Sequence, residues 1–335
     1  MASTQTQVGA AAGVLGLGFY VPDRVLDNAE LEQVVETTND WILSRTGISQ
    51  RRIAAPGQTT ADLAEHAASR ALQDANLSAS DLDLVIVATS TPEGPFPSTA
   101  SQVQHRLGAQ CGAFDLSAAC AGFTYALATA AQFVQNGVCR NVLVIGADML
   151  SRITDWSDRN TCVLFGDGAG AVVVGRVPEG YGLLGVDMGS DGSGADLLKV
   201  ERFAPNYAKA TPLGDALQDR RIYQNGREVY KFAVHVMGES AVRALQKSGI
   251  EPHQVDLLVP HQANLRIIES AAKRLELPME RVFVNLQKYG NTDAATIPIA
   301  LCEARDAGQI KRDNVVVTVG FGGGLAWSSC VLKWY

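Results

Sequence analysis

The sequence predicts an α/β protein built from two copies of one βαβ-type unit, and three repeated landmarks carry that expectation. Arg70-Ala71-Leu72-Gln73 returns as Arg243-Ala244-Leu245-Gln246, 173 positions later. At the same spacing, Asp83-Leu84-Val85-Ile86-Val87 is answered by Asp256-Leu257-Leu258-Val259. Asn141-Val142-Leu143-Val144-Ile145-Gly146 is likewise answered by Asn314-Val315-Val316-Val317-Thr318-Val319-Gly320. So long a period marks a duplicated domain and not a solenoid. The 335 residues also exceed the size at which a single core stops growing, about 250–300 residues.

Within each copy the order is helix, strand, helix, strand. Ala61 to Asn76 has helical apolar spacing, and Leu84 to Ala88 is a continuous apolar run suited to a strand covered on both faces. An Ala-rich helix then begins near Cys120, followed by the strand from Asn141 to Gly146. This alternation predicts parallel strands, with the two sheets packed through shared helices as layers. Pro178-Glu179-Gly180 breaks the pattern, so the halves are expected to be 1–180 and 181–335.

Composition narrows the function. The chain is 47% hydrophobic and 19% charged, against a globular average of about 25% charged, which excludes disorder. A net charge of −7 argues against a nucleic-acid binder that relies on bulk charge. Leu116 to Cys139 carries no charge over 24 residues, but its Ala, Gly, Ser, Thr, Gln and Asn content suits a protein interior and not lipid. No membrane association is expected. The N-terminal MASTQTQ has neither a basic region nor an apolar run, so a cytoplasmic protein is expected. The six cysteines form no CxxC pair and no metal-ligand spacing, and most are expected to be buried apolar residues.

Chemistry concentrates at three places. Asp115-Leu116-Ser117-Ala118-Ala119-Cys120-Ala121-Gly122 puts Cys120 at a helix start, where free N–H groups favour a thiolate. His261 follows the apolar strand ending at Pro260, and Asn291 sits in Gly290-Asn291-Thr292 before a second helix. Under the repeat, Asn291 falls within two residues of the place equivalent to Cys120, so both approach the pseudo-twofold axis. Singly, each has an ordinary explanation: a buried thiol, an interface histidine, a helix cap. Together they are a nucleophile with its acid/base and hydrogen-bonding partners. The third place is Gly320-Phe321-Gly322-Gly323-Gly324, where glycines bring backbone N–H groups close to a ligand. No Lys-Ser/Thr follows, so this is not a P-loop. Gly13-Val14-Leu15-Gly16-Leu17-Gly18 leads into Phe19-Tyr20-Val21-Pro22 and fails as a dinucleotide fingerprint.

Ala119-Cys120-Ala121-Gly122-Phe123, His261-Gln262-Ala263-Asn264-Leu265-Arg266, Gly290-Asn291-Thr292 and the glycine run resemble the β-ketoacyl-acyl-carrier-protein synthase III family of condensing enzymes. Asp40-Trp41-Ile42, Arg45-Thr46-Gly47-Ile48 and Gly166-Asp167-Gly168-Ala169-Gly170 match too, from about Val14 to Tyr335. The resemblance implies a thiolase-like fold, a layered α-β-α-β-α sandwich of two duplicated halves. It implies that Cys120 takes an acyl group, acetyl by expectation, from acyl-CoA. Malonyl carried on acyl carrier protein then decarboxylates and attacks the acyl-Cys, releasing β-ketoacyl carrier protein. His261 and Asn291 would stabilise the enolate oxygen, and the N–H groups of Cys120 and Gly323 would form the oxyanion hole.

By the same resemblance Trp41 and Arg159 take the two faces of the CoA adenine, and Thr37, Arg45 and Asn264 contact the rest. Tyr230, Phe321 and Leu325 line the acyl pocket, and Phe96 reaches into that of the other subunit of a homodimer. Lys231, Arg266, Lys273 and Arg274 form a basic patch for the acidic carrier protein. No cofactor or metal is expected. Three residues depart from the family's usual pattern: Tyr230 for Phe, Asp293 for Ser, and Leu325 for Phe, which leaves the starter unit open. The alternative is a related secondary-metabolism enzyme with a longer or aromatic starter or another acyl acceptor. A degradative thiolase would use a second cysteine near the C-terminus, but Cys330 lies in strand-like Trp327-Ser328-Ser329-Cys330-Val331. The failed fingerprint disfavours a nicotinamide oxidoreductase, and a silent scaffold would need none of the three site residues together.

Overall fold

A computed structural model describes residues 11–200 and 221–335. The N-terminal MASTQTQ segment lies outside the described residues. In chain order the first part comprises β1 (Ala11–Tyr20), β2 (Arg24–Asp27), α1 (Asn28–Leu31), α2 (Asn39–Thr46), β3 (Gln50–Ile53), α3 (Thr60–Asp74), β4 (Leu84–Ala88), α4 (Thr99–Leu107), β5 (Gly112–Leu116), α5 (Gly122–Gln135), β6 (Asn141–Met149) and β7 (Asp167–Val177). The second comprises β8 (Gly182–Ser190), β9 (Leu198–Val200), β10 (Ile222–Gln224), α6 (Gly226–Ser248), β11 (Leu257–Pro260), α7 (Leu265–Arg274), α8 (Leu286–Tyr289), α9 (Thr296–Asp306), β12 (Val315–Gly322) and β13 (Ala326–Lys333).

One large sheet runs β1-β7-β6-β4-β5 and a second β8-β13-β12-β11, the same order without a counterpart of β5, while β2-β3 and β9-β10 form two-stranded sheets. Side-chain alternation sorts their faces into layers. Ile86, Val144 and Val172 of the first sheet and Val259, Val316 and Cys330 of the second turn inward onto α5 and α9. Val85, Val87, Leu143 and Ile145 face outward under α3 and α4. Leu258, Val317 and Val319 face outward under α6 and α7. The stack is therefore α-β-α-β-α. The charge-free stretch has become α5, in the middle layer with an apolar sheet on each side.

The expectation of parallel strands holds only toward one edge of each large sheet, the side ending in β5 or β11. β4 pairs in parallel with β5 and β6, and β11 with β12, while β1, β7, β8 and β13 all pair antiparallel. A helical crossover returns the chain for a parallel pair, but the short Gly323-Gly324-Leu325 turn leaves β13 no choice but to reverse. The glycine run is also mostly strand: β12 extends through Gly322.

Glycines set how closely the middle layer meets the sheets. A Cβ on Gly146 of β6 would lie 2.2 Å from the Ala294 carbonyl oxygen, and one on Gly322 2.6 Å from the Cys120 nitrogen. Gly146→Ala must push away the turn that carries residues 293–295, with an expected cost of about 1–3 kcal/mol, read as a lowered urea midpoint at unchanged slope.

Candidate active site

Two short 3-10 turns, Ala119–Ala121 before α5 and Asp293–Ala295 before α9, pack against each other between the sheets. They are counterparts under the duplication, and their first residues share an unusual backbone, φ +44° at Ala119 and +54° at Asp293. The two predicted helix starts are therefore each delayed by one turn. That turn presents Cys120 from one half and Asn291 and Asp293 from the other. His261 arrives from the end of β11, with its N–H donating to the Val319 carbonyl at 2.8 Å. Cys120, His261 and Asn291 all line one cavity of about 530 Å³, together with Tyr230, Phe321 and Gly323.

Each side chain is held in a definite orientation. Asn291 Oδ1 accepts from the Asp293 N–H at 2.8 Å, which leaves its Nδ2 donors for the cavity. The Asn291 backbone is fixed by Leu164 O at 2.9 Å and Gly166 N at 3.0 Å. Beneath that segment the fully buried Arg51 guanidinium donates to Val163 O and, at 2.6 Å, to Asn28 Oδ1. His261 is 1% exposed, with Nδ1 2.6 Å from Thr296 Oγ1 and Nε2 unpartnered. Thr296 Oγ1 also lies 3.0 Å from the Asp293 carbonyl. If that hydroxyl donates to the carbonyl, the ring proton sits on Nδ1; turned toward the ring, it puts the proton on Nε2.

The electrostatics correct the thiolate expectation for Cys120. Burial, then the Asp293 carboxyl that its thiol touches, then Asp148 push it well above the ordinary thiol value. Burial alone lowers His261 to about 3, so it is a neutral imidazole. Asp148 sits at the end of the apolar strand β6, accepting from Thr89, Ser90, Thr91 and Ala294. An acid in so apolar a run is a signal visible in the sequence. Nothing in the local pattern marks Arg51 or Thr296.

The remaining candidates are dispersed. Arg159 and Arg45 both stack on the Trp41 indole, at 5.1 and 5.7 Å from its centroid, and Arg159 donates to Glu36 O. Thr37 Oγ1 is buried without a partner. Asn264 lines the cavity and caps α7, accepting from the Arg266 N–H and donating to Arg45 O. Leu325 is buried against Gly194 and is not part of the cavity wall, and Phe96 lies 85% exposed on the loop after β4. Arg266, Lys273 and Arg274 are exposed along α7, where Arg266 donates to Ser44 O and Arg274 pairs with Glu239. Lys231 on α6 pairs with Glu228. Cys330 is buried in β13 with its thiol toward Thr124 O, and burial raises it to about 12. Among the described residues, no three His, Cys, Asp or Glu side chains are grouped to hold a metal, and no helix is long and apolar enough to cross a membrane.

A neutral His261 has a signature in stability. Its folded value near 3 lies below the ordinary 6.5, so the unfolded chain binds the extra proton between them. Its contribution is intact above pH 6.5 and is lost as pH falls toward 3. Unfolding free energies of wild type and His261→Asn are expected to diverge there, with the wild type falling more steeply by up to about 1.4 kcal/mol per pH unit.

Comparison with known proteins follows the same lines. The family 3-oxoacyl-acyl-carrier-protein synthase III matches residues 114–192, and its C-terminal counterpart residues 245–334. A β-ketoacyl-acyl-carrier-protein synthase III of Caldanaerobacter subterraneus subsp. tengcongensis is 53% identical over 97% of this chain and 98% of its own. The solved Thermus thermophilus synthase III is 49% identical, with a TM-score of 0.91 over 96% of this chain and 99% of its own. A priming β-ketosynthase from the R1128 polyketide pathway superposes with a TM-score of 0.90 at 35% identity, over 99% of both chains. The chain belongs to the β-ketoacyl-acyl-carrier-protein synthase III family, the condensing acyltransferases that initiate fatty-acid synthesis.

Proposed function

We propose that Cys120 is the acyl-carrying nucleophile of this condensation and that His261 and Asn291 stabilise the enolate. The observation that carries this reading is the convergence of all three on one cavity from separate halves of the fold. In the first half-reaction, Sγ attacks the thioester of acyl-CoA, and CoA leaves before the second substrate enters. The N–H groups of Cys120 and Gly323 are suited to receive the oxyanion, because the bare Gly322 lets β12 lie against the Cys120 nitrogen. In the second, malonyl on acyl carrier protein loses carbon dioxide. Asn291 Nδ2, held by the Asp293 N–H on Oδ1, and His261 Nε2–H, with Thr296 turned toward the ring, donate to the developing enolate. Its carbon attacks the acyl-Cys carbonyl and yields a β-ketoacyl carrier protein. These side chains supply every step, so the reading includes no metal or redox cofactor.

Acyl-CoA enters past Trp41. A base stacks on the indole by displacing a guanidinium already there, and Arg159 is near enough to close on the base's other face. Thr37, Arg45 and Asn264 border that path. Tyr230 and Phe321 wall the acyl group, and Leu325 acts from behind the wall. The two halves, 1–180 and 181–335, each contribute one side of the site. The α7 cations with Lys231 form the carrier-protein dock, an acidic partner displacing Glu239 and Glu228 from Arg274 and Lys231. So exposed a ring as Phe96 suits insertion into the partner of a homodimer.

Intact-mass measurement tests the assignment. Acetyl-CoA is expected to add one acetyl group, absent in Cys120→Ala, and malonyl carrier protein to discharge it. His261→Ala and Asn291→Ala are expected to acylate yet discharge 10²-fold or more slowly. Acylation elsewhere, or discharge unaffected in both variants, would refute the roles given. Trp41→Ala is expected to raise KM for acetyl-CoA by roughly tenfold with kcat little changed.

A further inference from the structure

One buried carboxyl of the cavity has no part in these steps. Asp293 borders the cavity beside Cys120 and Ser90, is 4% exposed, and has an Oδ1 without a hydrogen-bond partner. The Cys120 thiol donates to its carboxyl. Its backbone is committed on both sides, the N–H to Asn291 Oδ1 and the carbonyl to Thr296, which meets His261. With φ at +54°, that backbone fixes where the side chain points.

Acylation frees one proton from Sγ, and a group must receive it. His261 is a poor receiver in either tautomer, because burial leaves its ring near 3. Asp293 is the acid that lines the cavity beside the thiol and acts on it. We propose that Asp293 is a further catalytic residue, the proton acceptor for Cys120 in the acylation half-reaction, a role that rests on the condensing-enzyme reading above. The Sγ–H proton passes to an Asp293 carboxylate oxygen as sulfur bonds the acyl carbon. The carbon–sulfur bond to CoA then breaks, and Asp293 returns the proton to the departing sulfur. Thiol and acyl-CoA become acyl-Cys and CoA thiol, with Asp293 again a carboxylate.

The groups facing Asp293 make its proton affinity suit the task. Cys120 meets it from the turn before α5, Asp148 from β6, and His261 from the end of β11, with Ser90 hydrogen-bonding to it. Lys199 of β9 borders the same cavity and pairs with Asp196 at 2.8 Å. Burial raises Asp293, and two carboxyls so placed hold a proton between them more readily than either alone. The base form is therefore lost as pH falls, at a higher pH than for an ordinary aspartate.

Single-turnover acylation of the full-length enzyme by acetyl-CoA, read by CoA release and intact mass over roughly pH 5 to 8, tests this in wild type, Asp293→Asn and Asp293→Ser. Both variants are expected to acylate about 10²-fold more slowly and to lack the acid limb of the wild-type profile. Acyl-enzyme prepared from them by long incubation is expected to discharge to malonyl carrier protein within about threefold of wild type. The serine variant guards against misfolding of the asparagine one. Acylation of a folded variant within about threefold of wild type, or an acid limb that persists, overturns the proposal. Equal losses in both half-reactions overturn it too, because they denote a positional effect. If wild type itself does not acylate, the condensing-enzyme reading fails, and this inference with it.

Discussion

The structure depends on burying most of two helices, α5 and α9, between two sheets. The buried length must be apolar on all sides, which is why α5 lies in so long a stretch without charge and α9 keeps Glu303, Arg305 and Asp306 for its last turns. Each must also begin in the interior, where a helix start exposes N–H groups that no water can satisfy. Neither α5 nor α9 has a side-chain cap. A tight 3-10 turn precedes both instead, and the two turns meet at the duplication's centre. Gly146 and Gly322 allow the meeting, because a methyl group at either would collide with backbone.

The chemistry follows from that burial. With both side chains buried, the imidazole stays neutral and the thiol protonated. Asp148 gathers side-chain and backbone donors from the ends of β4 and β6 and from the Asp293 turn. The Thr296 hydroxyl couples this region to His261. A site so arranged keeps its donors fixed in advance, and fixed donors are what a developing enolate rewards.

Much of the periphery is engaged in intramolecular contacts as well. Trp41 is already stacked by two guanidinium groups, and most of the basic residues grouped for docking have a local acid or carbonyl to hold. Binding at either place exchanges these weak exposed contacts for others, so the exposed pairs contribute orientation more than stability.

The sequence by itself determined the duplication, the apolar strands at its landmarks and the residue types of the site. Those depend on local pattern: period, unbroken apolar runs, and chemistry-bearing residues where strands end and helices begin. It also placed Asn291 within two residues of the position equivalent to Cys120, because a repeat converts sequence spacing into symmetry. Only the tertiary structure decided the rest. The direction of β13 depends on how a short turn reverses the chain, and that of β7 on the long connection from Met149 to Asp167; their glycine-rich or mixed composition hides the strand period. The protonation of Cys120 depends on Asp148 and Asp293, which come from β6 and from the other half. A helix start alone argues for thiolate, and burial beside two carboxyls overrules it. Long-range placement sets the local dielectric and the neighbouring charge, and neither has a signature in the residues next to Cys120 along the chain.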